Sequence, residues 1–467
     1  MKNKVKMGNM YRKICAEFST PVTADTFCRN FDAEQAIAKA KETGCEVFWV
    51  STVDSKGNSL YPTKYGLEHP YLDGRNYVKE MIDAAHAAEL GITGYHNVDN
   101  PRIAEAHPDW CELTPRDLTA AEPELTAYPR VCNNGPAFSR VILPQLAEIT
   151  ALGPDSLFFD FLFPVRACFC TACRERYRRD TGREIPWTDN LSEWMRYKAW
   201  LATCGQAWRE AAAKAIHAVN SDVLVAVNNG YSTSRPEPIP PHQGYVTKDV
   251  DEKSAPGPLG TSREGRYMAT LGAPYEIMTT GMQGWWGHWA VKPVVQMQQE
   301  AATALAVGAS THIGIPTYRD GTIEPRTLKS VAETFTFIEQ REPFCIDAEV
   351  VADVAILHTS TSQRWCSQEV WQRCHLGVTG AAKALRDTQV HFVIINEWTF
   401  LKDPDRYSLL VIPEQQWLSD DVISALRAYV GRGGRILATG QTSLGDGPHL
   451  RMADVFGVSD VGVGESG

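Results

Sequence analysis

Several broad protein classes are marked by features that this 467-residue chain lacks. It contains no run of 18 apolar residues, so no membrane span is expected. It has no long basic run, and its 46 Lys+Arg against 56 Asp+Glu give a net charge of −10, which argues against nucleic acid or an anionic membrane as partner. The opening Met1-Lys-Asn-Lys-Val-Lys is charged but leads into no apolar segment, so no secretory signal is read there and a cytoplasmic location is expected. Internal repeats and low-complexity tracts are missing. Twelve cysteines in such a length are too sparse for a disulfide framework and read as thiols.

What is present is an ordinary core composition, 43% hydrophobic and 22% charged, with thirteen tryptophans as the excess. Strand-like apolar runs fall at Ile14–Phe18, Glu46–Thr52, Ile92–His96, Ser156–Phe161, Val223–Asn228, Tyr245–Val250, Glu276–Thr280 and Thr311–Ile315. Amphipathic stretches separate most of them, and eight such strand–helix units predict an α/β fold, a (β/α)8 TIM barrel, over residues 1–345. Val98–Pro136 and the proline-rich Tyr231–Pro241 read as long loops, which in this fold line the active face. After Pro343 a second βαβ rhythm predicts a small flavodoxin-like parallel-sheet domain over residues 346–467, with strands at Val351–His358, Val390–Asn396, Leu409–Pro413 and Arg435–Thr439. Gly431-Arg-Gly-Gly precedes a strand instead of opening a helix, so it is no dinucleotide fingerprint.

Asp160 interrupts an apolar run, Ser156-Leu-Phe-Phe-Asp160-Phe-Leu-Phe, at the C-terminal end of the fourth strand. A carboxylate there is costly unless paired or used, and barrel enzymes place catalytic groups at that end; a loop-capping Asp is the plain alternative. Glu276 opens the seventh strand, and beyond it Trp285, Trp286, His288 and Trp289 share no helical or strand period, as in a loop that stacks a sugar ring. Asp249, Asp251 and Glu252 follow the sixth strand and read either as a solvated loop or as a further acid. Glycoside hydrolysis needs two carboxylates about 5–5.5 Å apart for retention or roughly 6.5–9.5 Å for inversion, and Asp160 with Glu276, Glu252 or Asp251 would supply them.

The three cysteines of Cys168-Phe-Cys170-Thr-Ala-Cys173 precede a basic stretch, Arg174 to Arg179, that would favour thiolates. A structural zinc site wants four ligands, and spacing alone leaves the fourth open between Cys111, Cys132 and Cys204.

These motifs have relatives. Cys132-Asn-Asn-Gly-Pro136-Ala-Phe138 followed by the cysteine cluster resembles the zinc pattern of family 42 β-galactosidases, which implies Cys132, Cys168, Cys170 and Cys173 as ligands of a structural Zn2+. Residues 350–457 resemble the trimerisation domain of that family, notably Tyr407-Ser-Leu-Leu-Val-Ile-Pro413 and Gly431-Arg-Gly-Gly-Arg-Ile-Leu437, which implies a homo-oligomer, a trimer or a multiple of it. That family's Asn-Glu pair on strand four is replaced by Phe159-Asp160, which is similar to the nucleophile strand of family 29 α-L-fucosidases. Tyr275-Glu276-Ile-Met-Thr-Thr leading to Trp286-Gly287 is similar to a fucosidase segment whose Glu serves as acid/base, whereas the fucosidase His-His pair reads Asp54-Ser55.

Over nearly the whole length the chain resembles hypothetical glycosyl hydrolase 6, a group including family 151 α-L-fucosidases, through His107-Pro-Asp-Trp110, Phe158-Phe-Asp160, Gly284–Trp289 and Gln299-Glu300. The resemblance implies a retaining exo-glycosidase, most simply an α-L-fucosidase, with Asp160 as nucleophile, Glu276 as acid/base and no metal in the chemistry. His96, Asn97, His107, Trp285, Trp286, His288, Trp289 and Glu252 are the expected sugar contacts. A galactosidase-like enzyme or a carbohydrate-binding barrel without turnover are the alternatives.

Overall fold

The computed structural model describes residues 10–16, 23, 25–115, 125–164, 166–186, 191–250, 258–284, 290–346, 348–366, 375–445, 447 and 449–458. Apolar runs and helices alternate through the first part: β1 (Arg12–Ala16), α1 (Ala33–Glu42), β2 (Val47–Val53), α2 (Tyr77–Ala87), β3 (Gly91–Asn97), α3 (Pro101–Ala106), β4 (Cys111–Pro115), β5 (Leu125–Val131), α4 (Leu143–Ala151) and β6 (Ser156–Asp160). The pattern continues with α5 (Thr171–Thr181), α6 (Leu191–Val219), β7 (Leu224–Val227), β8 (Val246–Asp249), α7 (Pro258–Met268), β9 (Tyr275–Thr280), α8 (Val294–Ala306), β10 (Ser310–Ile315) and α9 (Pro325–Glu339). Asp32 and Asn76 cap α1 and α2 through bonds from Gln35 N and Lys79 N, which fixes where those helices begin.

Eight parallel strands run in the order β7-β6-β3-β2-β1-β10-β9-β8. A bridge between Asn228 and Thr247, just past β7 and within β8, brings the two ends together into a barrel. Such strands are buried on both faces, and the two faces separate by parity. Cys15, Val47, Trp49, Tyr95, Phe158, Ala226, Tyr245 and Met278 pack together inside. Their neighbours Ile14, Phe48, Val50, Leu157, Phe159, Val225 and Val227 join the larger core under the helices.

All eight expected barrel strands are found. The connection after β3 differs from the expected loop: it contains α3 and an antiparallel β4–β5 hairpin. Pro115, Pro129, Glu112 and Arg130 interrupt any apolar alternation there, so the pairing has no sequence period to announce it.

The second unit is a four-stranded parallel sheet in the order β12-β11-β13-β14, built from β11 (Val354–Leu357), α10 (Ser360–Cys366), α11 (His375–Asp387), β12 (Phe392–Ile395), α12 (Glu397–Lys402), β13 (Leu409–Pro413), α13 (Asp420–Gly431), β14 (Arg435–Thr439) and α14 (Ala453–Phe456). It docks on the barrel through α7 and the turn after it: Arg266 donates to Phe392 O at 2.6 Å and Thr270 to Ile394 O at 3.1 Å. Tyr231, Val246 and Tyr267 of the barrel share one apolar cluster with Ile356, Val378 and Phe392. Among the described residues no helix is long and apolar enough to cross a membrane.

Candidate active site

Asp160 is the last residue of β6 and pairs in register with Asn97, the last of β3. Its Oδ2 accepts from the Tyr95 hydroxyl at 2.8 Å, and its Oδ1 accepts from Asn228 Nδ2 at 2.9 Å and from Phe161 N at 3.1 Å. Burial pushes the carboxyl up to about 6, against the pull of the Asn228 and Tyr95 bonds and with some help from the Asp99 charge. Phe161 holds a φ of 60°, a left-handed conformation that costs an aromatic residue on the order of 1–3 kcal/mol and clusters at functional sites.

Asn228 also donates to Asp249 Oδ2 at 2.8 Å, at the C-terminal end of β8. One amide nitrogen thus joins two carboxylates, and the lengths of two hydrogen bonds sharing one atom keep their oxygens within about 6 Å. Asn97 supports the same corner, donating to the Tyr95 hydroxyl at 3.3 Å and accepting from Asp99 N at 2.9 Å.

Behind this corner stands an alternation of cations and rings. Arg130 lies over Phe161 at 5.7 Å, Phe161 and Phe163 are 6.2 Å apart, and Arg235 lies over Phe163 at 3.6 Å. Arg130 is itself buried between Asp99, at 3.0 Å, and Glu112, at 3.4 Å. Burial raises Glu112 to about 7 although Arg130 opposes the shift.

The structure does not bring Glu276 to Asp160. Glu276 is the first inward residue of β9, and in a parallel barrel that is the N-terminal end, opposite the end that carries Asp160. Its Oε2 meets Lys13 Nζ at 2.5 Å and its Oε1 meets His312 Nδ1 at 3.3 Å. Burial alone would raise its carboxyl, but the Lys13 ammonium and His312 hold it down to about 2, so it carries no proton to donate near neutrality.

His96 is also displaced from its expected role. It alternates with Tyr95 and so faces outward, edge-on to Phe159 with centroids 6.0 Å apart, with Nδ1 3.2 Å from Thr52 Oγ1. Burial lowers it to about 3. His107 stacks on Trp110 at 3.9 Å in the connection after β3. Trp285, Trp286, His288, Trp289, Asp251 and Glu252 lie outside the described residues. Tyr95 and Asn228 are the site residues that sequence reasoning missed; Asp249, named there as part of a solvated loop or as a further acid, joins them in the site. Asn228 could have been found as the last residue of the expected fifth strand, Val223–Asn228.

The sulfurs of Cys132, Cys168, Cys170 and Cys173 all lie within 4.8 Å of one another, buried, and could hold a metal ion. Cys132 Sγ is 3.5 Å from that of Cys173 and 3.9 Å from that of Cys168. A tetrahedron with metal–sulfur bonds of about 2.3 Å has edges of about 3.8 Å, so the set fits a thiolate-bound ion. Asn134 donates to Cys173 Sγ at 3.3 Å and is oriented by Arg176 at 2.6 Å and Trp208 at 3.0 Å. Cys111 instead points to Ala104 O, at 3.4 Å. The cluster ties β6 to the hairpin, since Phe169 N donates to Leu113 O at 2.8 Å.

Residues 32–161 match the family model described as hypothetical glycosyl hydrolase 6, the group that the sequence motifs resemble. Among solved structures, the α-L-fucosidase isoenzyme 2 of Paenibacillus thiaminolyticus is similar at a TM-score of 0.77 and 20% identity, over 94% of this chain and 65% of that one. β-Galactosidases of Halorubrum lacusprofundi and Bacillus circulans sp. alkalophilus are similar at a TM-score of 0.68, with 14% and 13% identity, over 93% of this chain and 74% and 71% of theirs. These likenesses show the fold, and this chain spans about two thirds of the fucosidase's length. A search among curated proteins gave no match.

Proposed function

We propose that this chain is a retaining exo-glycoside hydrolase and that its substrate is an α-L-fucoside. The family match and the similarity to glycosidases support the hydrolase reading. The observation that carries it is the carboxylate pair at the barrel mouth, Asp160 and Asp249, joined through Asn228. A separation within about 6 Å suits retention and falls short of the gap needed to seat a water for inversion.

In this mechanism Asp160 attacks the anomeric carbon as the glycosidic bond breaks, and the sugar becomes esterified to its carboxylate. Asp249 takes the acid/base role first expected of Glu276: it protonates the leaving oxygen, then removes a proton from the water that hydrolyses the ester. Tyr95 and Asn228 hold the nucleophile's oxygens in place before attack. Asn97 and His107 contact hydroxyls, and stacking of the sugar ring is assigned, on sequence grounds, to Trp285, Trp286, His288 and Trp289.

The test is a panel of nitrophenyl glycosides. Asp160→Asn is expected to lower kcat by at least about 10³-fold with unchanged circular dichroism, since the nucleophile acts in both steps. Retained turnover would remove Asp160 from the mechanism, and preference for another sugar would replace the fucoside.

The four cysteines would hold a structural Zn2+ that fixes the loop leaving β6 and takes no part in the reaction, and the chain would assemble as a homotrimer. Native mass spectrometry is expected to show three chains with one zinc each, and a zinc-free Cys132→Ser variant. A monomer at micromolar concentration, or a metal-free wild type, would overturn the corresponding part.

A further inference from the structure

The buried polar groups beneath the mouth have a use that the hydrolytic steps leave open. Glu276 is a carboxylate and can only accept hydrogen bonds, so the His312 nitrogen facing it at 3.3 Å, Nδ1, is the one that carries the proton. Burial keeps the ring neutral, which leaves Nε2 as a bare acceptor. That nitrogen is buried and has no hydrogen-bond partner among the described residues. The indole of Trp49 has its centroid 3.9 Å from that of the His312 ring, and its Nε1–H is likewise buried without a partner among the described residues. An unmet donor and an unmet acceptor therefore belong to touching rings, a costly arrangement in a protein interior.

Register places these rings directly under the site. His312 pairs with Met278, and Met278 with Asp249, so the imidazole and the proposed acid share one hydrogen-bonded row, and the tilt of the strands in a closed barrel sets the imidazole, two strands along, lower than the acid. The next inward position on β10 is Gly314, which has no side chain, so no side chain of β10 stands between His312 and the mouth.

We propose that His312 Nε2 and Trp49 Nε1 form a recognition site for one sugar hydroxyl, which donates to the imidazole and accepts from the indole. A hydroxyl does both through a single oxygen. Lys13 and Glu276 are positioning residues: the ammonium keeps the carboxylate charged, and the carboxylate holds the imidazole in the accepting tautomer. The inference rests on the glycosidase reading, which it deepens by naming what selects the sugar.

Two measurements on the full chain test it. In kinetics with nitrophenyl α-L-fucoside and its 2-, 3- and 4-deoxy analogues, one analogue should lose about 10²–10³-fold in kcat/KM, because a site built to bond a hydroxyl rejects its absence. Trp49→Phe and His312→Phe should each shrink that ratio at least tenfold at the same hydroxyl, whatever they do to overall rate. An unchanged ratio in folded variants overturns the proposal. The second measurement needs neither turnover nor variants: nitrogen NMR of histidine-labelled wild type should show His312 as the Nδ1–H tautomer, with Nε2 shifting on titration with L-fucose or D-galactose. An Nε2–H tautomer, or no shift with either sugar, overturns the subsite. Absence of all glycoside turnover alongside a shift would sink the hydrolase reading and leave the subsite standing.

Discussion

Asp160 and Glu276 are both carboxylates inside one barrel, at opposite ends, and the protein treats them in opposite ways. At the mouth, among the described residues, Asp160 meets only neutral donors, the Tyr95 hydroxyl, the Asn228 amide and a backbone N–H, and burial leaves its carboxyl near 6. At the floor, Glu276 is more deeply enclosed yet sits near 2, because an ammonium lies against it. Burial alone therefore does not set the proton affinity of an interior acid; the formal charge of its partners does. The mouth keeps a group that can change state near neutrality, and the floor keeps one that cannot.

The strongest way to break this contrast is to remove the floor's cation. Lys13→Met should destabilise the chain by about 3–5 kcal/mol in denaturant unfolding at pH 7, since it strands a buried charge. Stability within experimental error of wild type would show that Glu276 does not depend on Lys13. In the wild type, the folded Glu276 carboxyl lies below its unfolded value of about 4.3, so its contribution is present above that pH and fades as pH falls toward 2.

Asp160 runs the other way. Its folded value near 6 lies above the unfolded value of about 3.9, so ionising it costs stability that first appears above pH 4 and is fully felt beyond 6. Asp160→Asn should accordingly raise stability by about 1–3 kcal/mol at pH 8 and by almost nothing at pH 4, a trade-off typical of active-site acids. Equal effects at both pH values would contradict the assigned titration.

The smallest effect expected is on the pH profile. Asn228→Ser removes one amide bond to the Asp160 carboxylate, so the acid limb of kcat/KM, near pH 6 in wild type, should move up by about one unit. A limb that stays in place would mean that another group sets it.

Much of this was legible in the sequence because buried parallel strands write themselves as short apolar runs, and Asp160 stood out as a charge inside one. The cysteine quartet was legible through its motif, and the four sulfurs do converge. Glu276 was misread because its residue type was weighed more heavily than its position. A carboxylate that opens a strand of a parallel barrel belongs to the floor, whatever aromatic loop follows that strand. His96 was misread by one step of parity, since in a strand the neighbour of an inward residue points out. Tyr95 carried no signal of its own, being a neutral side chain within a strand, and Asn228 offered only its place at the end of one.

The closing bridge between Asn228 and Thr247 has one more consequence. β7 and β8 have four residues each, and among the described residues their backbones are joined by that single bridge and by one further bond, from Gly244 N to Val225 O at 2.8 Å. A seam held so lightly is where local opening is cheapest, and amide hydrogen exchange should find its fastest barrel protons there. The residue that latches this seam with its backbone also spans the two carboxylates with its side chain. Each fluctuation that parts the staves thus also loosens the pair, so the barrel's breathing and its chemistry share one hinge pin.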